Sequence, residues 1–130
     1  MIAAGLGCRS NCPVEDILAA IAGAVEQAGV RVDDISRFCA PDFKRHEIAL
    51  TEAAQHLQRP IIFVATEALA AYAAQTKTRS DRVFALYGVP SIAETAALAG
   101  VDAGAPAHLM GPRFTSGGAA CALASSDVAA

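Results

Sequence analysis

Residues 1–41 read MIAAGLGCRSNCPVEDILAAIAGAVEQAGVRVDDISRFCAP, and the change of hydrophobic period within this stretch decides the fold class. Met1 to Leu6 is short and apolar, as a buried strand is, and Gly5-Leu6-Gly7 with Arg9, Ser10 and Asn11 breaks it into a polar turn. Val14, Ile17, Leu18, Ile21, Val25 and Ala28 then recur at helical spacing. Pro13 is tolerated at a first helical position, Glu15 and Asp16 suit the positive end of the dipole, and Gly29 suits the stop. Ile35 to Ala40 returns to a strand closed by Pro41. Strands alternating with helices make parallel β-α-β units with right-handed crossovers.

The alternation continues. Leu50, Ala53, Ala54 and Leu57 share a helical face that ends before Pro60, because the residue preceding a proline is pushed out of the helical region. Ile61-Ile62-Phe63-Val64 is continuously apolar, which predicts a central strand covered on both faces. Thr66 is expected to cap a helix through about Ala74, and Ser80-Asp81 to start a short one carrying Val83, Phe84 and Tyr87. Ser91-Ile92-Ala93-Glu94 has the form of a capping box and opens a helix ending at Gly100. Ala107 to Met110 and Ala119 to Ala124 read as an antiparallel pair at a sheet edge, joined by the turn from Gly111 to Gly118. The expected fold is one domain over residues 1–130: an α/β protein, a three-layer α/β/α sandwich whose mostly parallel sheet carries a C-terminal antiparallel edge hairpin.

Composition narrows the function. With 54% hydrophobic and 18% charged residues the chain can bury a core and is not disordered. A net charge of −3 and 5% aromatics argue against a nucleic-acid surface, which needs a basic stripe with stacking rings. No apolar run approaches the roughly 18 residues of a membrane span, and the start lacks a basic n-region, so a cytoplasmic protein is expected. The four cysteines are then reduced thiols. Cys8, Cys12 and His46 are the metal set to weigh, but C-x₃-C without a second ligand pair is no zinc signature, and neither metal nor cofactor is expected. Ser10 stands at the third glycine of G-x-G-x-x-G and no Walker lysine follows, so a nucleotide fingerprint is absent.

In an open α/β sheet, ligands bind beyond the carboxyl ends of the strands where the strand order reverses. The loops placed there are Gly7 to Asn11, Asp42 to Glu47, Ala65 to Glu67 and Gly111 to Arg113, so Thr66 and four of the ten basic residues, Arg9, Lys44, Arg45 and Arg113, fall on one rim. Helix N-termini opening there add partial positive charge. The product is a carboxylate- or phosphate-binding edge on an acidic protein. Lys44 and Glu47, at i,i+3 spacing, would by themselves be a surface pair worth about 0.2–0.5 kcal/mol. His46 is the histidine placed to act as an acid or base; His56 and His108 are isolated.

Gly5-Leu6-Gly7-Cys8-Arg9, Glu15-Asp16-Ile17-Leu18, Asp42-Phe43-Lys44-Arg45-His46-Glu47 and Gly88-Val89-Pro90-Ser91-Ile92-Ala93-Glu94, in this order from Ile2 to Ala124, resemble the CobE/CbiG C-terminal domain family of cobalamin biosynthesis. The resemblance turns Lys44 and Glu47 from a surface pair into expected site residues, beside Gly5, Gly7, Cys8 and Arg9. Cys12-Pro13 stands where the family has Thr or Ser, and Ala120 where it has Thr. The larger CbiG proteins carry an N-terminal domain and open a δ-lactone as cobalt-precorrin-5A hydrolases; this chain looks like the stand-alone CobE form of the aerobic route. The implied ligand is a precorrin or hydrogenobyrinic-acid-type corrinoid whose acetate and propionate arms suit the cationic rim, with Gly5 and Gly7 admitting the ring. Two alternatives are a lactone-opening enzyme using Glu47 or His46 as base and Lys44 at the oxyanion, and a carrier docking onto another enzyme of the pathway.

Overall fold

The computed structural model describes residues 1–101 and 106–126. The chain runs β1 (Ile2–Cys8), α1 (Val14–Ala28), β2 (Ile35–Pro41), α2 (Ile48–His56), β3 (Ile61–Val64), α3 (Thr66–Ala70), α4 (Asp81–Tyr87), α5 (Ile92–Ala99), β4 (Ala107–Leu109), β5 (Phe114–Ser116) and β6 (Ala119–Ser126). Among the described residues the six strands form one sheet in the order β3-β2-β1-β6-β4, with β5 beside β6. β1, β2 and β3 are parallel neighbours, whereas β6 runs antiparallel to β1, β4 and β5.

The three-layer reading holds. One face of the sheet is covered by α1 and α2, whose Ile17, Ile21 and Leu50 pack with Leu6, Phe38 and Leu123 of the strands. The helix α1 begins and ends where its sequence signals stand: Pro13 occupies the cap position and Gly29 takes the left-handed conformation, φ 73°, that glycine adopts without a Cβ clash. The other face is covered by α5, with Ala93, Ala97 and Leu98 against Ala3, Ala122 and Ala124, and Ala96 and Ile92 against Cys39. Small residues let this helix come close to the strands. A Cβ on Gly5 would run into the backbone of Ala93 and Ala97.

The antiparallel β4–β6 pair closes one edge of the sheet, as expected, with β4 outermost. Four details differ from the sequence expectation. β1 is not broken at Gly5-Leu6-Gly7 but runs on to Cys8, because β6 pairs with it along its length from Ser125 to Ala119. The turn between the last two expected strands itself contains β5, held because Phe114 packs so close to Gly23 of α1 that a Cβ there would strike the ring. β3 is an edge strand rather than a central one, and Ile62 is exposed. Ile61 and Phe63 pack on the core under α1 and α2, and an apolar run says nothing of how many strands flank it. Thr66 is the first helical residue of α3, with Ala65 in the cap position, and the helix stops at Ala70 before a 3₁₀ turn over Ala73–Gln75.

Candidate functional site

After β3 the chain crosses to the other side of β1 to make β4 and β6, so the strand order reverses between β1 and β6. A cleft of about 640 Å³ opens at that reversal, beyond the carboxyl ends of β1 and β2. This volume lies within the roughly 300–1,000 Å³ usual for small-molecule sites. Its floor and walls come from Gly7 and Cys8 at the end of β1 and Arg9 after it, Phe43 and Lys44 after β2, one side of α4, the first residues of α5, and the β5–β6 hairpin with Arg113 before it.

The lining contains Arg9, Lys44, Arg82 and Arg113 and neither an aspartate nor a glutamate. None of these four side chains has an ion-pair or hydrogen-bond partner among the described residues. Ile92 and Ala93, at the start of α5, also line it, and N–H groups at such positions have no carbonyl to bond within the helix. Four positive charges without a counter-charge repel one another, so an anion entering the cleft is favoured. Apolar residues line the cleft beside these cations: Val83, Leu86 and Tyr87 from α4 with Ile92, and Phe43 stacked on Tyr87 at 4.3 Å between ring centroids. Leu86 is 60% exposed.

The cations stay unpaired because the nearby carboxylates are engaged elsewhere. Asp16 accepts from the Gly118 N–H at 3.0 Å, and the Arg9 N–H donates to the Gly118 carbonyl at 2.9 Å, which locks the β1–α1 loop to the hairpin. Glu47 is buried and accepts from the Asn11 N–H at 3.1 Å, tying the loop after β1 to the loop after β2. Glu94 does not complete the capping box. Ser91 Oγ does accept from the Glu94 N–H at 3.2 Å, but the Glu94 carboxylate is drawn away by four other donors, from Lys77, Thr78 and Arg113.

The expected site residues therefore divide. Gly7, Cys8, Arg9, Lys44 and Arg113 share the cleft. Gly5 lies beneath α5 and serves its close approach. Arg45 lies outside the lining, with its guanidinium 5.8 Å from the centre of the Phe63 ring, and Thr66 lies outside it at the start of α3. His46 is exposed, 3.7 Å from Glu47, and neither is among the residues that line the cleft. Arg82, Leu86 and the Phe43–Tyr87 stack were not foreseen; only the fold brings α4 back over the ends of β1 and β2.

Cys8 is the thiol in the cleft wall, and burial pushes its pKa up to about 11 against the pull of Lys44. Burial likewise raises Cys12, and takes Cys39 and Cys121 to about 12, so all four are neutral thiols near pH 7. No group of three or more His, Cys, Asp or Glu placed to hold a metal ion occurs among the described residues. No described helix is long and apolar enough to cross a membrane.

Fold and cleft together define a class: an α/β/α sandwich with a cationic, partly apolar crevice at the reversal of its strand order. The sequence profile of the family described as "Cobalamin synthesis G C-terminus" matches residues 2–124. The chain belongs to this family of cobalamin biosynthesis proteins. Protein CobE of Sinorhizobium sp is 37% identical over 120 residues, covering 92% of this chain and 77% of that one. The crystal structure of CobE, a protein from the cobalamin biosynthetic pathway, superposes with a TM-score of 0.89 at 31% identity, covering 95% of this chain and 89% of that one. Cobalamin biosynthesis protein chiG from Agrobacterium tumefaciens superposes with a TM-score of 0.75 at 34% identity, covering 98% and 99%.

Proposed function

We propose that this protein is a cytoplasmic binding protein for a corrin-ring intermediate of cobalamin biosynthesis, taken while its acetate and propionate arms are still ionised. The observation that carries the reading is the cleft itself, with four unpaired cations, no lining carboxylate and apolar residues among them. A corrinoid of this type is flat and apolar across its ring and anionic at its periphery, so it matches both kinds of lining residue. Arg9, Arg82 and Arg113 can each offer two parallel N–H donors to a carboxylate, whereas Lys44 acts as a point charge. Gly7 leaves the backbone at the end of β1 open to close approach by the ring. Membership of a cobalamin biosynthesis family supports this choice of ligand over other amphipathic polyanions.

Titration of the protein into hydrogenobyrinic acid, followed by its visible spectrum, tests the reading. A saturable spectral change is expected, and an unchanged spectrum at all protein concentrations contradicts it. Lactone opening is the weaker reading, because Glu47 and His46, the bases it would use, are not among the residues that line the cleft. Incubation with a lactone-bearing corrinoid is expected to release no more acetaldehyde than a control without protein.

A further inference from the structure

We infer that Glu94 is the positioning residue of the cleft, its buried carboxylate fixing the two flanks that carry Arg82 and Arg113 relative to each other. The consequence for binding rests on the ligand reading above; the geometry rests on the fold alone. Every residue from Ser91 to Leu98 is buried, so α5 is seated firmly on the sheet and Glu94 projects from a fixed base. The Glu94 side chain has no exposed surface, yet none of the donors it meets is a cation. One oxygen accepts from the backbone N–H groups of Lys77 at 2.7 Å and Thr78 at 3.0 Å. The other accepts from the Thr78 hydroxyl and the Arg113 N–H, each at 2.9 Å.

These donors come from two separate segments, one leading into α4 and one into β5. Lys77 and Thr78 lead into the Ser80 cap of α4, a seven-residue helix with no buried side chain. Arg113 precedes β5, three residues long and paired to β6. A residue that only filled space would be better apolar, because a buried carboxylate without a cationic partner is costly to desolvate. Four donors converging from two segments instead require an acceptor with two oxygens, which a carboxylate supplies and a carboxamide does not.

Glu94→Gln keeps the shape and leaves one acceptor oxygen, so either the Arg113 N–H or the Lys77 and Thr78 N–H groups lose their acceptor. In the ligand-free variant, amide hydrogen exchange is expected to quicken at Arg113 or at Lys77 and Thr78, with the remaining core amides unchanged. Below its melting range, the variant is expected to bind hydrogenobyrinic acid about tenfold more weakly. That loss should shrink when Glu94→Gln is made in an Arg113→Ala background, because residues acting through one another are not additive. Wild-type affinity in the folded variant, or the same factor with and without Arg113, overturns the inference. Should Glu94→Gln fail to fold, Thr78→Val removes one of the four bonds and is expected to weaken binding in the same direction by about threefold; an unchanged affinity counts against the inference. If the wild-type protein ignores hydrogenobyrinic acid while Glu94→Gln still frees the Arg113 amide, the ligand reading falls and the positioning of the flanks stands.

Discussion

Among single residues, the division between Lys44 and Arg45 shows what adjacency conceals. Both follow β2, but Lys44 lines the cleft and Arg45 lies outside it near Phe63, because consecutive residues around a 3₁₀ turn leave in different directions. Arg9→Ala and Arg82→Ala are each expected to weaken corrinoid binding about tenfold, as loss of a charge-assisted hydrogen bond does. Both side chains are exposed, so urea denaturation should find stability within about 0.5 kcal/mol of wild type; a larger drop would make them structural. The thiols give a second expectation. Their folded pKa values lie above the ordinary 9.0, so the unfolded chain releases thiol protons first as pH rises. Stability contributed by the neutral buried thiols is complete below pH 9 and is lost between 9 and about 12. Urea midpoints measured from pH 8 to 10.5 should fall, and fall less steeply in Cys39→Ala/Cys121→Ala. Cys8 should react slowly with iodoacetamide at pH 7.5 and more slowly still once the cleft is filled.

Secondary-structure elements were legible to different degrees. The boundaries of α1, β2 and α5 were written in Gly, Pro and Ser signals that act locally, which is why Gly29 and Ser91 sit where the sequence places them, whereas β1 runs past Gly5-Leu6-Gly7 to Cys8 because β6 pairs with it there. Position within the sheet was not legible, since the apolar period of β3 reports the faces of a strand and not its edges. Glu94 shows the same limit: Ser-x-x-Glu predicts a cap, and only the return of residues 77–78 and 113 explains why the carboxylate turns elsewhere. Gly5 belongs to this scale as well, because its task is the contact between α5 and β1. Gly5→Ala must push the helix off the strand, and such overpacking is expected to cost about 1–3 kcal/mol in denaturant unfolding. A variant as stable as wild type would mean that α5 rides higher on the sheet than described.

Over the whole molecule, the chain is acidic, with a net charge of −3, yet it gathers four cations around one opening. The strand-end rule made three of them readable before any coordinates. The fourth, Arg82, required the path of α4, which follows from packing rather than from any local signal. Because the cleft is open to solvent, its grip on an anion should weaken as salt screens the charges. The most direct measurement is therefore a comparison of affinities for hydrogenobyrinic acid and for its fully methyl-esterified form, which has the same ring and no charged arms. Tight, salt-sensitive binding of the acid and much weaker binding of the ester is predicted; equal affinity for the two, indifferent to salt, would contradict the account.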